Sequence, residues 1–89
     1  MTINDLIKYF AEAEYSNAKY IGVKVNMIDL KECEVIINPR ENFRKKMLYY
    51  IKNYDSDLRL KNAPDKVKIV RCAYGNSFSE IEDRLTPLK

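Results

Sequence analysis

The stretch from Asn38 to Tyr54 constrains the fold more than any other part of the chain. Phe43, Met47, Tyr50, Ile51 and Tyr54 recur at spacings of three and four, and Leu58 extends the series. At about 100° per residue this spacing gathers them on one side of a helix, and a helix with one apolar side must bury it against something. Asn38, Pro39 and Glu41 stand before the stripe in capping order: Asn as N-cap, Pro where a missing N–H costs nothing, and a carboxylate that reaches back to the cap. The spacing predicts a helix that begins at Pro39 and ends near Tyr54 or Asp55. Its outer pole holds Glu41, Lys45 and Lys52, with Leu48 and Tyr49 on the shoulders and Arg40, Arg44 and Lys46 along the boundaries.

Before this helix the period changes. Thr2 and Asp5 form a capping pair, and Ile3, Leu6, Ile7, Phe10 and Ala13 make one apolar face, which predicts a first helix over Ile3 to Tyr15. From Lys19 to Met27 the period is two, with Ile21, Val23, Val25 and Met27 on one side of a half-buried strand. Asp29 to Glu32 turn the chain, and Cys33 to Ile37 return as a second strand, with Cys33, Val35 and Ile37 on one face and Glu34 and Ile36 on the other.

After the central helix, Asp55 to Asp65 is irregular and holds either a last helical turn or a short extra strand. Asp55, Asp57 and Arg59 do not make a calcium loop, because an arginine and a leucine fall where an oxygen ligand and a glycine are needed. Lys66 to Tyr74 form a third strand with apolar groups on both sides, as expected of a strand covered twice or of one with a bulge near Arg71. Gly75-Asn76 turns the chain. Ser77 and Glu80 cap a short helix with Phe78, Ile81 and Leu85 inward, and Pro87 ends it.

The order α-β-β-α-β-α over a single domain, residues 1–89, points to an α+β fold. It is expected as a two-layer sandwich in which a three-stranded mixed sheet carries its helices on one face. A right-handed crossover through the central helix makes the second and third strands parallel and places the first between them.

Composition narrows the function. There is no histidine, no phosphate-cradling glycine loop, and two cysteines, Cys33 and Cys72, read as reduced and partly buried thiols. No catalytic site, metal or cofactor is expected, and with no apolar run near the roughly 18 residues of a membrane span the chain is expected in the cytoplasm. The net charge is only +3, but residues 38 to 72 carry ten Lys or Arg against four carboxylates. Such a cluster is the electrostatic footprint of polyanion binding.

Two functions follow. The first is a protein-interaction module, most simply a homodimer, using an apolar patch of Ile36, Leu48, Tyr49, Val70 and Tyr74. Ile36, Val70 and Cys72 are expected on the sheet face turned away from the helices. The second is nucleic-acid binding through Arg40, Arg44, Lys45, Lys46, Lys52 and Lys68, with Lys66 and Arg71 nearby. A variant of it uses Tyr20 and Tyr74 as stacking rings between Lys24 and Lys68 on an uncovered sheet face.

Overall fold

The structure is a computed structural model and describes residues 1–86. Helix α1 spans Ile3–Tyr15 and opens on a reciprocal cap: the Thr2 hydroxyl accepts from the Asp5 N–H, and the Asp5 carboxylate accepts from the Thr2 N–H at 2.8 Å. Strands β1 (Tyr20–Met27) and β2 (Glu32–Pro39) form a hairpin through a 3₁₀ turn at Ile28–Leu30, closed by Lys31 in the left-handed region. Helix α2 covers Phe43–Asn53, strand β3 Val67–Gly75 and helix α3 Phe78–Leu85. Pro87, expected to stop α3, lies outside the described residues.

The start of α2 differs from the expectation. Asn38 and Pro39 pair with Ile21 and Tyr20 as the last residues of β2, the Arg40 N–H donates to the Lys19 carbonyl, and Arg40–Asn42 form a 3₁₀ turn before the α-helix begins at Phe43. Pairing with β1 therefore takes the residues that resembled a cap. The φ of −74° that proline imposes fits the end of an edge strand as well as it fits a first helical turn.

β1 lies between its neighbours in the order β2-β1-β3 and is antiparallel to both. The sheet is therefore antiparallel throughout and not mixed as expected: β2 and β3 run the same way, but β1 stands between them and they never pair. A register shift at Lys24/Val25 places a bulge opposite, between Ile69 and Arg71, one of the two alternatives that the broken alternation of β3 leaves open. The irregular stretch takes the strand-like alternative: Tyr54 bridges to Leu60 and Arg59 to Lys68. The Asp55 carboxylate holds this loop by accepting from the Asp57 and Arg59 N–H groups.

The layering departs from a single helical face. Ile21, Val23 and Val25 point from β1 into the larger core, where Leu6, Phe10 and Ala13 of α1, Phe43 and Tyr50 of α2, and Ile69 and Cys72 of β3 are buried. α3 packs against the other side of the sheet, where Ile81 and Leu85 are buried with Ala73 and lie against Tyr20, Val35 and Ile37. The contact is made at Gly22, which has no side chain to hold α3 away. The Lys24 ammonium, buried beneath α3, donates to the Leu85 carbonyl at 2.9 Å, a cation at a helix C-terminus.

Candidate interaction surface

The five residues expected to form one apolar patch fall on two edges of the molecule. Ile36 shares a face with Val23, its partner on β1, and is half-buried against the larger core, so it points toward α1 and α2 rather than away from them. Cys72 is buried in that same core, where loss of hydration pushes its thiol pKa up. Tyr74 also packs there and donates its hydroxyl to the Glu12 carboxylate of α1. Val70 sits at the bulge of β3, in a depression shared with Met1, Tyr9 and Arg71. The expected patch relied on an uncovered sheet face, but α1 and α2 cover the face that carries Ile36, Cys72 and Tyr74, and α3 covers part of the other.

Leu48 and Tyr49 remain as an exposed pair on the outside of α2, 56% and 47% exposed. The Tyr49 ring is held in place by its neighbours. The Tyr49 and Tyr50 rings meet edge to face at 5.5 Å, and the Lys46 ammonium stands 4.7 Å from the centre of the Tyr49 ring, a cation–π contact that keeps this lysine beside the aromatic. Tyr49, Lys45 and Lys46 line a depression of about 310 Å³ together with Asn42 and Asn38, the latter on the same face of β2 as Ile36. The flank of α2 and the end of β2 thus form one continuous surface.

The expected cationic set also divides. Arg40 belongs to the architecture: its guanidinium donates to the carbonyls of Glu14 at 2.9 Å and Ala18 at 3.2 Å, closing the C-terminus of α1. Lys68 pairs with Asn26 across the sheet and points to the α3 side, away from α2. Arg44, Lys45 and Lys52 stay exposed on the outer face of α2, and none of them forms an ion pair among the described residues. The proposed stacking platform is not assembled, because the Tyr20 ring lies edge-on against Phe78 of α3, 4.9 Å away, while Tyr74 is on the opposite face.

The strand edges supply what the patch reading missed. The outer edge of β3 is protected at its start, where the Ile69 N–H donates to Leu58 and the Leu60 N–H to Val67, and further along by the bulge. β2 has no such cover. Its backbone pairs with β1 along all eight residues and with no other segment among the described residues, while Val35, Ile36 and Ile37 are only partly buried. Apolar side chains on both faces of a strand at a sheet edge mark the place where another strand can be added. The signal was available in the sequence: a crossover that puts β1 in the middle makes β2 an edge, and Val35-Ile36-Ile37 is apolar on both faces.

Of the two thiols, Cys33 is exposed on β2 and Cys72 buried, and among the described residues no group of His, Cys, Asp and Glu is placed to hold a metal ion. No helix among them is long and apolar enough to cross a membrane. Comparison with known protein families, with characterised proteins and with solved structures returns no match.

One group in the core is unsatisfied. The Tyr50 hydroxyl is fully buried without a hydrogen-bond partner among the described residues, and this desolvation pushes its pKa up. Burying an unpaired hydroxyl costs roughly 1–3 kcal/mol, so Tyr50→Phe, which keeps the ring contacts with Phe10 and Tyr54, is expected to raise stability by about 1 kcal/mol. A urea midpoint lower than that of the wild type would contradict this.

Proposed function

We propose that the protein is a non-enzymatic protein-interaction module that works as a pair of copies joined along β2. The observation that carries this reading is the asymmetry of the sheet: β3 is protected by a bulge and by the Leu58–Leu60 segment, whereas the outer edge of β2 pairs with nothing among the described residues and carries the partly buried Val35, Ile36 and Ile37. Exposed edges of this kind are normally blunted, and pairing two of them satisfies both rows of backbone groups while burying the apolar side chains beside them. Leu48 and Tyr49 on the neighbouring flank of α2 extend the contact area.

Light scattering coupled to size-exclusion chromatography tests the reading. The expected mass is near twice 10.5 kDa at micromolar concentration and above. Cys33→Lys, which places a charge at an exposed position of the open edge, is expected to shift the protein toward the monomer with its circular dichroism spectrum retained. A wild-type chain that stays monomeric up to millimolar concentration would rule the module out as a self-associating one.

A second reading, a nucleic-acid-binding accessory protein, is favoured by Arg44, Lys45 and Lys52 on the outer face of α2, which form no ion pair among the described residues. It requires binding to DNA or RNA that weakens steeply with salt, because each neutralised phosphate releases counterions. Fluorescence polarisation at two salt concentrations decides it.

A further inference from the structure

We infer that the two copies meet in one register, with the two-fold axis at Ile36, and that Glu34 of each copy occupies the Lys45–Lys46 depression of the other. This rests on the β2 pairing proposed above and adds to it the register and the contacts that select a second copy of this chain as the partner.

The argument starts from the sequence of the strand. Antiparallel self-pairing centred on Ile36 places Ile36 opposite itself and Val35 opposite Ile37, so that every partly buried apolar residue of the edge faces another. A shift of the centre to Val35 instead puts Ile36 against Glu34 and Ile37 against Cys33. The centred register also places Glu34 opposite Asn38 of the other copy. Glu34, Ile36 and Asn38 share one face of β2, the face covered by α2, as their alternation and the packing of Ile36 require.

Charge then favours a second copy. Asn38 lines the depression that Lys45, Lys46, Asn42 and Tyr49 complete, and Lys46 is held there by its contact with the Tyr49 ring. Glu34 is exposed and has no ion pair among the described residues, and the same is true of Lys45. Because β2 begins acidic, with Glu32 and Glu34, and leads into a basic helix, an antiparallel partner brings the acidic end of one copy to the basic end of the other, twice over by symmetry. The cationic face of α2 thereby acquires a partner within the protein's own sequence.

The test uses two surface variants, Glu34→Lys and the double change Lys45→Glu with Lys46→Glu, whose folding is checked by circular dichroism. Each alone sets like charges against each other at both ends of the pair and is expected to raise the dimer dissociation constant by about tenfold or more. Mixed in equal amounts, they restore both contacts at once, and native mass spectrometry is expected to show a heterodimer formed with affinity near that of the wild type. Variants that dimerise as the wild type does, or a mixture that fails to recover, overturn the register while leaving a dimer of some other geometry. A monomeric wild type overturns the pairing itself.

Discussion

Replacing Phe43 with alanine is expected to destabilise the protein by about 3–5 kcal/mol, the range for emptying a buried aromatic site. Phe43 is 3% exposed and begins α2 exactly where that helix first touches α1. Its ring stands edge to face with Phe10, 6.2 Å between centres, and Phe10 makes the same kind of contact with Tyr50. These three rings tie α1 to α2 above the sheet, so the loss combines transferred area, a cavity and two aromatic pairings. Against a net stability of roughly 0.05–0.15 kcal/mol per residue, which is about 4–13 kcal/mol for a chain of this size, such a loss removes between about a quarter and all of the margin. Met47→Ala, a half-buried position on the same stripe, is expected to cost distinctly less. Equal urea midpoints for the wild type and Phe43→Ala would show that the aromatic contacts do not hold the helices together.

The apolar stripe was the most legible part of the sequence because period and burial largely coincide in it: Phe43, Tyr50 and Tyr54 are buried and Met47 packs against them, whereas Ile51, counted in the stripe by its spacing, is exposed. The strands β1 and β2 and the caps at Thr2 and Ser77 were legible for the same reason, each being a local pattern with a local cause. Two features were not. Asn38-Pro39-Glu41 satisfies the rules for a helix start, and it lost to strand pairing with Ile21 and Tyr20, a contact distant in sequence that no local rule registers. The face assigned to Ile36 and Cys72 was inverted because all helices were placed on one side of the sheet. Apolar residues on both faces of β2 and β3 are the trace that a two-sided cover leaves, and in β3 alternation alone could not separate that cover from a bulge.

The site was less legible than the fold. Leu48 and Tyr49 stand exposed where their phase on α2 puts them. Arg40, by charge a member of the cationic face, is consumed by the carbonyls at the end of α1, a role invisible without the approach of two segments that lie far apart in sequence. A basic count taken along the chain therefore overstates the free positive surface.

The cover on the second face makes Gly22 the most sensitive small residue in the sheet. A Cβ at this position would collide with the Ile81 Cγ2 methyl and approach the Leu85 Cδ1 methyl to 3.2 Å. The Cγ2 of isoleucine sits on a branched Cβ with restricted rotation, so it cannot swing aside, and α3 must move instead. Gly22→Ala is expected to cost about 1–3 kcal/mol, the range for overpacking a filled core, and Gly22→Val more. The loss should fall first on the α3 side: Ile81 and Leu85 lose their seat, and the Lys24 bond to the Leu85 carbonyl lengthens. Because the obstruction is one methyl group, Ile81→Leu, which moves the branch away from the backbone, should relieve it. The double variant Gly22→Ala/Ile81→Leu is then expected to be more stable than the sum of the two single changes allows, with a coupling of roughly 1 kcal/mol in a double-mutant cycle. Additive costs would mean that α3 does not rest on Gly22, and the sheet would have to be covered in some other way.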